Sequence, residues 1–331
     1  MTRQTAIVAA PALLVALSVL HLSLGATPLP PATILHALIA FDPANYAHVV
    51  VVFQRLTRLI VAIYAGAALA SAGFLLQKIM QNGLVSPSTL GINAGATNFV
   101  VLGVLLFGLS GAGLFFPALL GGLCAIALTF AISLTLRGGN DPRLNLVLSG
   151  SMVGVLFSSL TAFVLSLDPD RFGNIIGWIV GDIGNFDYQS LAPMAPLGLI
   201  GLIAAALLSR AVDILVLGDE QAAMLGVDVR LIYGTTLLTA IVLAVSAVTV
   251  VGPVGFVGLV MPHIARIFVG EIGRLPLWTC IWGGGTVLVC ADLLARLLLA
   301  PRVLNVGTIM GLAGGAVFLF LVVSNQHRRA T

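Results

Sequence analysis

Residues that could take part in binding or chemistry are concentrated in a short polar segment, GDEQAAMLG, at 218–226. Asp219 and Glu220 would occupy the first turn of a helix, whose positive N-terminal end stabilises acids. Gly226 would end that helix in the left-handed conformation that glycine adopts without strain. The pattern predicts a short capped helix with an apolar Met-Leu pair. It fits either an ordinary structured loop or a knob for a partner's groove.

Motifs for catalysis and for ATP binding are absent from the sequence. The only lysine, Lys78, lies in QKI, so the chain has no GK[ST] phosphate loop, and neither HExxH nor GxSxG occurs. The cysteines lack metal-ligand spacing, and the lone His263, near the end of an apolar run, is expected to have a structural or interfacial role. We therefore expect no catalytic residue, no metal site and no cofactor on this chain.

Asp292, in ADLLAR, is the main acidic residue inside an apolar run. Proton-coupled transporters place acids in such positions. Arg296 follows four residues later, however, and residues with that spacing are neighbours on one face of a helix. We interpret Asp292 as an anchor or a partner of Arg296, and we expect neither proton coupling nor intramembrane catalysis.

The surrounding chain is 59% hydrophobic and only 8% charged, whereas a soluble domain carries about 25% charged residues. A membrane-spanning helix needs about 20 apolar residues, and nine runs approach that length. The nine runs are roughly 5–24, 57–77, 90–109, 113–136, 143–167, 190–209, 231–251, 275–298 and 306–324. A tenth, at 255–266, predicts a short helix. The chain is therefore expected to be an integral membrane protein, and its net charge of +3 without a basic block gives no sign of nucleic-acid binding.

Ten segments place both termini on the same side of the membrane, and the charges orient them. With the N-terminus inside, ten of the 15 Lys and Arg residues face the inner side and five face the outer side. This distribution agrees with the positive-inside rule. The polar segment at 217–229 then lies in the cytoplasm, between the sixth and seventh helices, and both termini are cytoplasmic.

Five segments resemble, in order and spacing, the motifs of permease subunits of bacterial ABC importers for ferric siderophores, haem and vitamin B12. They are RLTR…GA at 55–96, GDEQAAMLGV at 218–227, GPVGFVGLVMPHIAR at 252–266, ADLLAR at 291–296 and VGTIMGLAGGAVFLFLV at 306–322. The resemblance covers nearly the whole chain. It departs from the family pattern at Thr57 and Gly83, where proline is usual, and at Leu304–Asn305, where Leu-Pro is usual.

The resemblance implies an all-α integral membrane protein with about ten transmembrane helices, one of them short, in the type II ABC importer permease fold. A single transmembrane domain would cover residues 1–331, in the lipid of the bacterial inner membrane. Its partners would be a second permease, identical or different, a dimer of cytoplasmic ATPase subunits and a periplasmic or lipoprotein substrate-binding protein. Mg²⁺-ATP would bind to the ATPase, so that this chain would be a transport subunit and not an enzyme.

The resemblance also assigns roles to three groups of residues. ATPase coupling falls to Gly218, Asp219, Glu220, Ala222, Leu225 and Gly226, and docking of the binding protein to Arg55, Arg58 and Arg296. From the residues alone, these arginines could equally extend their charged ends to the membrane interface. Asn82 and Leu84 would line a cytoplasmic gate, where Gly83 in place of proline adds backbone freedom.

The expected cargo is a ferric siderophore, since most relatives of this kind carry such complexes. Haem and vitamin B12 remain alternatives within the same class, because selectivity would lie mainly in the binding protein. An ion-coupled secondary transporter is the alternative from a different class, and the scarcity of acids deep in the apolar runs speaks against it.

Overall fold

The computed structural model describes residues 3–25, 27–136, 142–173, 175–184, 188–216, 218–300 and 302–320. Within these residues the chain is helical, and thirteen helices of five or more residues follow one another. They are α1 (Arg3–Ser23), α2 (Pro31–Ile39), α3 (Tyr46–Ile79), α4 (Ile92–Phe107), α5 (Phe115–Thr135), α6 (Pro142–Leu167), α7 (Ile176–Val180), α8 (Ala195–Leu215), α9 (Asp219–Met224), α10 (Val229–Val251), α11 (Val257–Val269), α12 (Leu275–Leu297) and α13 (Val306–Phe320).

Six of these helices are long and apolar enough to cross a membrane, counted over the described residues: α3, α5, α6, α8, α10 and α12. Four shorter apolar helices accompany them, in α1, α4, α11 and α13. Each of the ten segments predicted from the sequence coincides with one of these ten helices. α11 has 13 residues and is about 20 Å long at 1.5 Å per residue, which confirms the short helix expected at 255–266. The chain is a multi-pass, all-α membrane protein.

The start of α3 differs from the prediction, which began this helix at residue 57. The helix begins at Tyr46, where Asn45 caps it by accepting a hydrogen bond from the Ala47 amide at 3.0 Å. The six residues Val50–Arg55 form π-helical turns within it. The early start was missed because Arg55 looked like the polar boundary of a span, whereas its side chain is buried by other helices.

α3 is the central helix of the bundle and packs against α8, α10, α11 and α12. Two glycines allow this close packing. A Cβ on Gly66 would come within 2.6 Å of the Gly284 carbonyl carbon in α12, and a Cβ on Gly73 within 2.5 Å of the Gly258 carbonyl carbon in α11. In a membrane, small residues of this kind let helix backbones approach closely. The small-residue segment at 66–73 therefore serves helix packing.

Side-chain contacts identify the two ends of the bundle. Near the C-terminal ends of α3 and α8, Lys78 contacts Asp213, and α9 follows α8 directly. We call this the α9 end. At the opposite end, His21 near the end of α1 contacts Asp292 in the last turns of α12. The residues with predicted roles therefore fall into groups at two separate ends of the molecule.

Candidate functional site

The polar segment at 218–226 forms the short capped helix that the sequence predicts. Gly218 and Gly226 flank α9 with positive φ angles of 109° and 79°, a region that favours glycine. The Gly226 amide donates to the Ala223 carbonyl at 3.0 Å. On the inner face of α9, Ala222 is fully buried, and it fixes the helix against the bundle.

The outer face of α9 is exposed and ends in an apolar pair. Met224 is 87% exposed and Leu225 is 64% exposed, while Glu220 is also at the surface. The third acid of this region, Asp228, accepts from the Leu231 amide at 3.1 Å and caps α10. The acids therefore begin two helices, and the Met-Leu pair is left as an apolar surface outside the transmembrane helices.

The loop after α3 holds the two residues predicted to line a gate. The Asn82 carboxamide oxygen accepts from the Leu84 amide at 2.9 Å, which folds the loop into a tight turn and leaves the Leu84 side chain exposed. Gly83 has no positive φ, and a Cβ there would lie 3.2 Å from the Arg266 guanidinium. The missing side chain at residue 83 thus makes room for Arg266 of α11.

Asp292 is the centre of a buried charge cluster at the opposite end. Its carboxylate lies 2.7 Å from His21 Nε2 and accepts from Arg58 Nη2 at 2.6 Å. Arg296 Nε lies 3.2 Å from the same carboxylate. The His21 and Asp292 side chains are completely buried, and those of Arg58 and Arg296 are only 14% and 9% exposed. The predicted pairing of Asp292 with Arg296 is confirmed, and it belongs to a larger cluster joining α1, α3 and α12.

Arg55 is buried beside this cluster and has a different set of partners. Its guanidinium donates to the carbonyl of Leu22 at 2.7 Å and to that of Ser23 at 3.0 Å, and it also donates to the Thr27 carbonyl. The last carbonyls of a helix have no partner within the helix, so Arg55 caps the end of α1. The structure thus brings Arg55, Arg58 and Arg296 together, with their guanidinium groups bonded within the chain.

The sequence of this chain matches a known family of transport proteins. The family model described as the FecCD transport family matches residues 13–324. The chain belongs to the FecCD transport family. As an ABC importer permease of this family it is a transport component and not an enzyme, and the ion-coupled secondary transporter considered above is set aside.

Relatives of this permease carry names with several cargoes. It is 33% identical to the ferric enterobactin transport system permease protein FepD of Escherichia coli (strain K12), over 97% of this chain and 96% of that protein. It is 33% identical to the hemin transport system permease protein HmuU of Yersinia pestis, over 83% and 84% of the two chains. It is 31% identical to the cobalamin import system permease protein BtuC of Halobacterium salinarum, over 92% and 82%.

A solved structure has the same fold along almost the whole permease. It is an inward-facing conformation of a metal-chelate type ABC transporter, with a TM-score of 0.82 and 28% sequence identity. The match covers 96% of this chain and 98% of that chain. The predicted type II importer permease fold is therefore confirmed.

Sequence reasoning missed two sets of contacts. His21 was not recognised as a partner of Asp292, because 271 residues separate them in the sequence. Lys78 was noted only as the sole lysine, yet it is buried and paired with Asp213. The signal available for Lys78 was its position at the end of an apolar run, since a buried charge requires a partner of opposite charge.

Proposed function

We propose that this permease moves a ferric siderophore across the bacterial inner membrane, with ATP hydrolysed by a separate pair of ATPase subunits. The part of this proposal that concerns the ATPase rests on the exposed apolar surface at the end of α9. Met224 and Leu225 lie outside the transmembrane helices, and exposed apolar patches of this kind mark interaction sites. A short helix fixed by Ala222 and closed by two glycines is a rigid contact that moves with its partner.

In this proposal the α9 end faces the cytoplasm and meets the ATPase. Gly218 and Gly226 shape the coupling segment, Ala222 anchors it, and Leu225 with Glu220 contacts the partner. Asp219 belongs to the same turn. Mg²⁺-ATP binds to the ATPase dimer and not to this chain. Asn82 and Leu84 lie at the same end of the bundle and form the cytoplasmic gate of the pathway, which a second permease subunit completes.

At the opposite end, we assign Arg55, Arg58 and Arg296 to docking of the binding protein. Their bonds within the chain suit an indirect role, in which they fix the ends of α1, α3 and α12. Two arginines share the single carboxylate of Asp292, and Arg55 adds a third cation nearby. Partly buried charges are screened less by salt than exposed ones, so the excess positive charge would attract acidic residues of a binding protein.

The choice of a ferric siderophore rests on the names of relatives. Ferric enterobactin occurs in the name of FepD and Fe(3+)-hydroxamate in that of another relative, whereas hemin and cobalamin occur in the names of two others. Selectivity would lie mainly in the binding protein. The cargo test is uptake of radiolabelled ferric siderophores by cells with and without the permease, and permease-dependent uptake of haem or cobalamin alone would contradict the assignment.

The permease role is tested by purifying the tagged chain from its native host in mild detergent. We expect a stoichiometric ATPase subunit with the natural chain and its loss in Leu225→Asp, since a carboxylate would have to be buried in the partner's groove. Leu299→Asp is the matched control, because Leu299 is an exposed leucine at the opposite end. An ATPase subunit that stays bound to Leu225→Asp would contradict the role of α9.

A further inference from the structure

The α9 end contains a buried ion pair that the assignments above leave without a role. Lys78, in the last turn of α3, contacts the Asp213 carboxylate in the last turn of α8. Its ammonium group also donates to the Glu271 carbonyl and lies 5.5 Å from the centre of the Phe74 ring. Both charged side chains are largely removed from water, at 8% and 12% exposure.

Asp213 joins this pair to a third element. Its second carboxylate oxygen accepts from the Gly273 amide at 2.7 Å, in the loop that connects α11 to α12. Gly273 has a φ of 102°, a conformation that glycine adopts readily and other residues avoid. One carboxylate therefore connects the ends of α3 and α8 with the α11–α12 loop.

Two glutamines strengthen the same junction, Gln77 in α3 and Gln81 in the loop that follows it. The Gln81 carboxamide donates to the Leu215 carbonyl at the end of α8, at 3.2 Å. The Gln77 carboxamide oxygen accepts from Arg266 of α11 at 2.7 Å. The end of α3 thus contacts α8 and α11 through directed polar bonds, which hold a defined geometry better than apolar contacts do.

Each residue of the ion pair lies shortly before one of the two functional segments in the chain. Asp213 precedes the start of α9 by six residues, and Lys78 precedes Asn82 of the gate loop by four. α8 ends at Leu215 and α9 begins at Asp219, so a displacement of α9 acts directly on the end of α8. The Lys78–Asp213 contact and the Gln81–Leu215 hydrogen bond both join the end of α8 to the segment that forms the gate loop, and the ion pair is the buried, charged one of the two.

Stability alone does not require a charged pair at this position. Replacing a buried ion pair with apolar side chains of similar volume is often neutral or stabilising. A buried pair does, however, resist separation, because each charge would lose its oppositely charged partner in a medium of low dielectric constant. These properties suit a rigid connection between moving parts.

We propose that Lys78 and Asp213 form the joint that transmits the displacement of α9 to the gate loop, residues 80–87. This inference rests on the proposed function of α9 and of the gate. Lys78 and Asp213 are positioning residues, and they contact neither cargo nor ATP. The joint stays closed through the transport cycle, so that the end of α3 follows the end of α8.

The test uses the permease assembled with its ATPase and binding protein in lipid nanodiscs or vesicles, and it measures cargo moved per ATP hydrolysed. The variants are Lys78→Met, Asp213→Asn and the double variant Lys78→Met/Asp213→Leu. We expect each to lower this ratio by roughly fivefold or more, the lower range of allosteric coupling. Since the residues act as one joint, the double variant should lose no more than the single variants.

Assembly and melting temperature separate a coupling defect from misfolding. The apolar double variant is expected to keep both, because it leaves no unpaired charge. A folded, assembled double variant with the natural ratio of cargo to ATP would overturn the proposal. The natural permease tests the underlying function first: if it assembles with no ATPase subunit, or if the assembled complex hydrolyses ATP without moving cargo, the proposed function fails, independently of the joint.

A second measurement uses the natural sequence. Because Lys78 is the only lysine of this chain, an amine-reactive reagent followed by mass spectrometry of the permease peptides reports on this joint alone. We expect Lys78 to remain protected without nucleotide, with ATP and with a trapped transition-state mimic. Labelling of Lys78 in one nucleotide state would mean that the joint opens, and this would overturn the proposal.

Discussion

At the residue scale, Asp292 illustrates how a membrane protein stabilises a charged side chain that is buried away from water. A single charged side chain at the centre of a bilayer costs at least about 2.5–3.5 kcal/mol. Asp292 is fully buried, but its carboxylate contacts Arg58, Arg296 and His21, which come from three helices. The cluster therefore links these helices, and it depends on the carboxylate more than on any one of its cationic partners.

The substitution Asp292→Asn tests this dependence. It removes the negative charge and leaves two arginines facing each other, and we expect a loss of roughly 3–5 kcal/mol in the free energy of unfolding. Thermal or denaturant unfolding of the purified permease in detergent measures it. Asp170→Asn is the matched control, because Asp170 is exposed at the surface and should change stability by less than about 0.5 kcal/mol. Equal stability of the two variants would contradict a central role for Asp292.

Contacts between residues close in sequence could be predicted, and distant ones could not. The Asp292–Arg296 pair follows from helical spacing, and the cap at Gly226 follows from its residue type. The contacts of Asp292 with His21 and Arg58 span 271 and 234 residues, and they exist only because the helices pack in this arrangement. The sequence contained no local signal for them.

At the element scale, backbone contacts through glycine define how the central helix packs. Gly66 of α3 and Gly284 of α12 leave no room for a Cβ atom between the two helices. Lipid tails are as apolar as the side chains, so association of the helices depends on this close fit and on interhelical bonds. The position of α3 is thus determined by the smallest residues on its surface.

Two matched Gly→Ala substitutions test this packing. Gly66→Ala should destabilise the fold by roughly 1–3 kcal/mol through overpacking. Gly234→Ala in α10 should leave stability unchanged or raise it by about 0.5–1 kcal/mol, since alanine favours the helix. At Gly234 an added Cβ would meet no heavy atom within 4 Å in the described part of the chain, outside its own helix. Gly66→Ala should lower the melting temperature and Gly234→Ala should not, and a similar decrease in both variants would contradict the argument.

The helices themselves were largely predictable, because length and hydropathy determine what can cross a bilayer. The ten predicted segments coincide with ten helices, and the shortest, α11, was expected from its length and from the GPVG sequence before it. α2 was missed, because nine residues are too few for a span. The start of α3 was missed because burial of Arg55 depends on α1.

At the scale of the whole molecule, the two ends of the bundle differ in character. The α9 end has an exposed Met-Leu pair above a junction of directed polar bonds. The opposite end has a buried charge cluster with more arginines than acids. Most side chains of α5, α6 and α8 are not buried by the rest of the chain. Such exposed surfaces are expected where a helix faces lipid or a second permease.

The proposed orientation can be tested with single cysteines. After replacement of Cys124, Cys280 and Cys290, Arg302→Cys at the opposite end should react with a membrane-impermeant maleimide added to spheroplasts. Arg230→Cys, at the α9 end, should react only after the membrane is opened, because the proposed orientation places it in the cytoplasm. Both native side chains are exposed on the protein surface, so both cysteines should be accessible to the reagent on their own side. The reverse pattern would mean that α9 faces outward and would exclude its contact with a cytoplasmic ATPase.

The two glycines around α9 also have a consequence for how permeases of this kind can change their partners. In the described chain, an added Cβ at Gly218 or Gly226 would meet no heavy atom within 4 Å, and among the hydrophobic side chains of α9 it is Ala222 that joins the core. The segment is therefore close to an exchangeable module, delimited by two glycines and anchored by one small residue. If α9 contacts the ATPase as proposed, substitutions at a few of its surface positions would change the ATPase partner and leave the transmembrane helices unchanged.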